Sequence, residues 1–166
     1  MPAPPTGWQE VEVVAAVGTV RPRIKAREGL SPEEEDEKAR ALAIEKWFTL
    51  VGVMGGHCEL VRKAGASDDK VLRQSLADAL APKAEATLKA RGAVLEAYFK
   101  WARARGLQLA PVTEEVVYAY FAALLRDARA PPSRAKSTMS ALAFAAFVLG
   151  LDGVEEALAS PRAKGV

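Results

Sequence analysis

Between Thr113 and Pro132 the chain reads TEEVVYAYFAALLRDARAPP, with Val116–Val117, Tyr120–Phe121 and Leu124–Leu125 recurring as adjacent pairs every fourth residue. That spacing lays an apolar stripe along one side of a helix and does not fit the alternation of a strand. Thr113 is an N-cap residue, and Glu114 and Glu115 follow in the first turn, where the helix dipole favours negative charge. Arg126 and Arg129 stand near the other end, and Pro131 and Pro132 stop the pattern. One stripe needs other apolar stripes to cover it, so this segment predicts a packed helical domain.

The flanking sequence supplies them. Ser31 and Glu34 form a capping box with Pro32 at the first helical position, and the acidic run Glu33–Glu37 is a solvated helix start. The stretch HCELVRKAG, after Gly52, Gly55 and Gly56, reads as a continuation or as a separate short turn. Ser67 or Asp68 caps the next helix, with Val71, Leu72, Leu76 and Leu80 near one face and Pro82 at its end. A longer helix runs from about Lys83 to Arg105 and is stopped by Gly106. Ser133 opens another, apolar all round from Met139 to Leu149 and closed by Gly150, and DGVEEALAS forms a short last helix ending near Pro161. Residues 1–30 carry Pro2, Pro4, Pro5 and Pro22 and read as a flexible lead-in, although VEVVAAVGTV has strand-like composition without an evident partner. The expected organisation is a flexible segment 1–30, a helical segment 31–66 and a helical domain 67–166. The fold class is all-α.

Composition agrees. Hydrophobic residues make up 50% and charged residues 27% of 166 residues, which is globular rather than disordered. Aromatics are only 7%, so alanine, leucine and valine carry the apolar content and favour helix. The single cysteine, Cys58, excludes an internal disulfide and a thiolate metal cluster and is compatible with a reducing compartment. No signal peptide is visible at the N-terminus, and the longest apolar run, Met139 to Leu151, is shorter than the roughly 20 residues that span a bilayer. Net charge is −2 over residues 1–82 and +4 over residues 83–166. The C-terminal half is mildly basic, which permits an anionic partner without requiring one.

Catalytic constellations are lacking. The lone His57 precedes Cys58, and adjacency cannot make a nucleophile–base pair. There is no phosphate-binding glycine loop after a strand and no metal-ligand spacing, so neither cofactor nor metal is expected. Tyr98, Phe99, Trp101, Tyr120, Phe121, Phe144 and Phe147 stand at core spacing and are read as packing. On a helical wheel of 87–105, Leu88, Leu95, Phe99 and Ala102 fall together while Lys89, Glu96, Lys100 and Arg103 share a solvated face. Arg91 points into the apolar arc, where it can snorkel, pair with a carboxylate or reach a ligand at the edge of the core. The helix opening at Ser133 crowds Arg134, Lys136, Ser137, Thr138 and Ser140 into its first turns. This is either a solvated helix start or a phosphate site, because free amides, hydroxyls and cations all favour phosphate.

Residues 83–150 resemble the N-terminal core-binding domain of tyrosine recombinases of the phage-integrase type, which has a small orthogonal SAM-like helical bundle. Thr87, Leu88, Lys89, Arg91, Leu95, Tyr98 and Trp101 keep the spacing of that family's first helix, with Arg91 in place of the usual aromatic. LAPVTEEVVYAYF matches its next turn and helix through Thr113, Glu115, Tyr120 and Phe121, and PPSRAKSTMSALAFAAFVLG matches a third helix. The resemblance implies half of a clamp around double-stranded DNA, with one or two additional helices ahead of the bundle. It also implies an intracellular protein, nuclear in a eukaryote, tied to DNA recombination, DNA integration and mobile elements. The family's cutting chemistry needs a tyrosine nucleophile and a His-x-x-Arg element, whereas Leu60 stands three residues after His57, so a non-catalytic chain is expected. Other protomers or a separate catalytic domain are the further partners it implies.

Lys89, Arg91, Lys100, Arg134, Lys136, Ser137 and Thr138 are the expected DNA-binding residues, joined in one concave positive surface. The alternative is a helical protein-interaction or assembly module without a nucleic-acid role, for which Trp47 and Phe48 offer an apolar face.

Overall fold

The computed structural model describes residues 29–65 and 68–164. It is an all-α bundle in which Ala43, Trp47, Leu50, Val51 and Met54 line one side of α1 (Pro32–Met54) and enter the common core. Their spacing of three and four residues is that of a helix stripe. The capping box forms as expected: the Ser31 amide donates to Glu34 Oε1 at 2.9 Å and the Glu34 amide to Ser31 Oγ at 3.1 Å. The lead-in over 1–28, with its strand-like run, and Ser67 lie outside the described residues.

A 3₁₀ turn (Gly55–His57) separates α1 from α2 (Glu59–Ala64), so HCELVRKAG is a distinct short element. Asp68 caps α3 (Asp69–Leu80) by accepting from the Lys70 amide at 3.0 Å. At the other end of α3, the Arg40 guanidinium donates to the carbonyls of Leu80 at 2.7 Å and Ala81 at 3.1 Å. These are the orphan acceptors that every helix C-terminus leaves.

Next come α4 (Glu85–Ala104) and α5 (Glu114–Arg126), with Thr113 Oγ1 accepting from the Val116 amide at the start of α5. α6 (Arg134–Phe144) follows and runs into a π-helical turn (Ala145–Leu149) closed by Gly150 at φ +78°. Two short helices, α7 (Val154–Ala159) and α8 (Pro161–Lys164), complete the described chain. α7 ends near Pro161 as expected but is not the last helix, since Pro161 opens α8, as proline at a first helical position can.

The closest helix pairing is between α4 and α6. They run antiparallel, since Lys83 and Arg91 reach the Phe144 ring while Val94 shares a cleft with Ser137. Trp47 locks α1 across both. Its Nε1 donates to the Leu88 carbonyl at 2.9 Å, and its ring lies 5.3 Å from that of Phe144. A Cβ on Gly92 would stand 3.3 Å from Trp47 Nε1, so glycine lets the indole approach the α4 backbone.

The second tie is made by residues 150–152. Cys58 and Leu151 form an isolated antiparallel bridge, Glu59 N donates to Gly150 O and Asp152 N to His57 O, each at 2.9 Å. Val112 N in turn donates to Asp152 O at 2.9 Å. Gly153, at φ +89°, passes so close to Val112 that any side chain there would collide with its carbonyl.

α1 from Ala43 onward and Cys58 are part of the same core as α3 to α7. Two expectations are corrected. Phe147 is not a packing residue: it is 86% exposed. Leu125 continues the paired pattern of α5 yet is 73% exposed, because it lies at the edge of the buried arc in the helix's last turn.

Trp47→Ala is expected to remove about 3–5 kcal/mol of stability, the usual cost of emptying a buried aromatic site. Urea unfolding followed by far-ultraviolet circular dichroism measures it, and a loss below about 1 kcal/mol would show that α1 is not integral to the core.

Candidate nucleic-acid interface

Each helix that carries candidate cations presents them according to its own periodicity. On α4, Lys89 and Lys100 fall on one flank and Arg91 about 160° or more away from both, at 100° per residue. The neighbours agree with the wheel. Lys89 lines a crevice with Ala39, Leu42, Ala43 and Lys46 of α1, whereas Arg91 and Val94 line an open cleft of 260 Å³ with Ser137 and Ser140 of α6. The expected single concave surface is therefore not formed. The buried stripe of α4 separates its lysines from the α6 cations.

The two flanks also differ in charge balance. Glu96 is held by Lys46 at 2.8 Å and by Lys100 at 3.8 Å, so the lysine flank is partly neutralised. The hydrogen bond from Lys46, aided by the positive charge of both lysines, lowers the Glu96 pKa from its usual 4.5. Glu85 and Glu96, the only carboxylates of α4, both lie within about 40° of Lys89 on the wheel. The Arg91 flank has none, and α6 contains no acidic residue. Among the described residues no ion pair engages Arg91, Arg134 or Lys136.

Arg91 is half-buried, with its guanidinium carbon 5.3 Å from the centroid of the Phe144 ring. The stack orients the group by cation–π attraction while leaving its in-plane N–H donors unused by any described residue. Lys136 is exposed, Arg134 half-buried, and Ser137 faces the cleft. Thr138 must be removed from the expected set. It is fully buried, and its hydroxyl donates back to the Arg134 carbonyl at 2.8 Å, as threonine does inside helices. Ser133 precedes α6 without capping it through its side chain.

One residue outside the expected set joins this flank: Ser140 lines the cleft one turn beyond Ser137. Arg105 stands just past the end of α4 in non-helical backbone, with its guanidinium carbon 4.6 Å from the Trp101 ring centroid.

Among the described residues no three of His, Cys, Asp or Glu come together as metal ligands, and no helix is long and apolar enough to cross a membrane. Tyr98 is buried with its hydroxyl unpartnered among the described residues, edge-on to Tyr120 at 5.2 Å, and burial raises its pKa well above 10.0. It belongs to the core rather than to the cleft.

No protein-family model matches the chain, and neither a curated protein nor a solved structure matches it. The recombinase resemblance therefore rests on the residues quoted for it.

The ion pairs of Glu96 predict a pH dependence. Its pKa is lower folded than unfolded, so its contribution is complete above the unfolded value near 4.5 and is lost as pH falls through the folded one. Both partners are more than one-third exposed, so Glu96→Gln should cost no more than about 1 kcal/mol at pH 7. The gap from the parent protein should close as the solution is taken below pH 4. A gap that stays constant with pH would show that the pairs contribute nothing.

Proposed function

We propose that this chain is a non-catalytic DNA-holding helical domain, gripping duplex phosphates along the α4–α6 groove, without the lysine flank of α4 that the recombinase resemblance would have joined to it. One observation carries the reading: the α4–α6 cleft gathers Arg91, Ser137 and Ser140, the first turn of α6 that leads to these serines carries Arg134 and Lys136, and neither the cleft side of α4 nor any position of α6 bears a carboxylate. An uncompensated row of cations and hydroxyls in an open cleft suits a polyanion. A buried ligand would need an enclosed pocket. Phosphate contacts of this kind hold and orient a duplex but do not read its sequence. The lysine flank, with Glu96 between Lys46 and Lys100, contributes less, because a phosphate there meets a carboxylate as well as cations.

The experiment is fluorescence anisotropy with an arbitrary duplex across a salt titration. Each phosphate contact contributes about 0.9 to the slope of log affinity against log salt. The double variant Arg134→Ala with Lys136→Ala should lower that slope by about 2 while leaving the unfolding midpoint unchanged. Arg91→Ala should lower it by about 1, with a small loss of stability from the missing ring stack. Lys89→Ala with Lys100→Ala should lower the slope by less than the Arg134 and Lys136 pair does, and Thr138→Val should leave it where it is. Salt-insensitive binding, or an equal loss from the lysine pair, would overturn the assignment.

The exposed Phe147 favours a second reading, an assembly module. The DNA reading uses the α4–α6 cleft, and the assembly reading uses the π-helical turn that follows α6.

A further inference from the structure

The two most exposed large apolar side chains among the described residues are Phe147, at 86%, and Leu125, at 73%. They lie at opposite ends of α6. Phe147 sits in the π-helical turn at its end, and Leu125 lies in the last turn of α5, one short loop before its start.

Phe147 forms one wall of a hollow of 720 Å³, together with Ala143, Ala146, Leu151, Val154 and Leu158. The floor is apolar and the rim is acidic. Glu59 and Asp152 on the rim are answered by Lys63 at 2.9 Å and Arg62 at 2.8 Å. Glu155, also on the rim, and its exposed neighbour Glu156 have no ion pair among the described residues. The hollow therefore suits an apolar side chain with cations close beside it.

The α5–α6 corner has that chemistry. Leu125 projects there beside Arg126, with Arg129 two positions past Asp127, which answers it only loosely at 3.9 Å. The prolines at 131 and 132 follow in the loop. They restrict the backbone, so less conformational freedom is lost when the corner docks.

We infer that copies of this chain associate head to tail, the Leu125–Arg126 corner of one entering the Phe147 hollow of the next. Knob and hollow are made by different residues, so the contact is heterologous and a head-to-tail pair still has one corner and one hollow free. Leu125 fills the apolar floor against Phe147, and Arg126 and Arg129 meet Glu155 and Glu156. The apolar contact supplies the affinity, and the charges set which corner fits which hollow. This does not rest on the DNA reading, because it involves neither Arg91 nor the first turns of α6.

The test uses the full chain without DNA, in sedimentation equilibrium over a wide concentration range. The average mass of the parent protein should rise with concentration past that of a dimer. Leu125→Glu and Phe147→Glu should each weaken self-association by about tenfold or more, since each removes one half of the contact. Both positions are exposed, so folding should be unaffected, as circular dichroism would verify. An equimolar mixture of the two variants should recover association but stop at a one-to-one dimer, because one intact hollow and one intact corner remain. A parent protein monomeric at its highest soluble concentration overturns the proposal. So does a mixture that stays monomeric. If Phe147→Glu abolishes association and Leu125→Glu leaves it intact, the contact is a two-fold pairing of Phe147 and the head-to-tail assignment is wrong.

Discussion

The indole of Trp47 fixes the relation of α1, α4 and α6. Its N–H reaches a carbonyl of α4 rather than a side chain, and that is possible only because Gly92 leaves the helix surface bare one turn on from Leu88. A buried N–H without an acceptor costs about 1–3 kcal/mol, so the hydrogen bond sets the depth and rotation of the indole as well as its presence. With the indole held there, its ring meets Phe144 and α6 is positioned against both. Phe144 is then fixed under the guanidinium of Arg91. The orientation of the candidate phosphate-binding arginine thus descends, through the Trp47–Phe144 and Phe144–Arg91 ring contacts, from a buried hydrogen bond to the α4 backbone.

The same packing explains why the charges separate. α4 is covered by α1 on one flank and by α6 on the other, and every side chain at its surface belongs to one flank or lies on the open ridge between. Lysines on the α1 flank found a carboxylate within reach, and Glu96 is shared between Lys46 and Lys100. The α6 flank offered none, since α6 carries no acid. A short alanine-rich helix whose polar groups are all cations and hydroxyls leaves its positive charge to solvent or to a ligand. A salt-dependent grip on phosphate follows from that imbalance more directly than from the net charge of +2.

Local structure was legible where the signal is local. Ser31 with Glu34, Asp68, and Thr113 before two glutamates are caps whose hydrogen bonds span two or three residues, and each forms. The buried faces of α4 and α5 followed from spacing alone. What failed depended on partners distant in sequence. Nothing around Gly92 announces that Trp47, 45 positions earlier, needs its missing side chain. Thr138 looked like one more hydroxyl of a polar helix start, but the direction of packing put it in the core while Ser137 beside it faced the cleft. The wheel placed Arg91 away from Lys89 and Lys100, yet the expectation of one positive surface assumed that α6 would pack beside the lysines. α6 lies on the other flank.

Phe147 shows a different limit. From Met139 to Leu149 almost every residue is apolar, so no polar marker says which side faces water, and an aromatic there reads as core. On the wheel Phe147 falls between Ser140 and Ala143, both exposed, but alanine is silent about burial and one serine is weak evidence. The π-helical turn then carries the chain to Gly150 and the bridge at Leu151, and the hollow opens between that turn and α7. An aromatic left in water beside an apolar hollow loses burial free energy unless something covers it, and Phe147 at 86% exposure is far outside the range of a core residue. α6 therefore bears unpaired cations at one end and an uncovered aromatic at the other, and a core that fixes one end in place fixes the other with it.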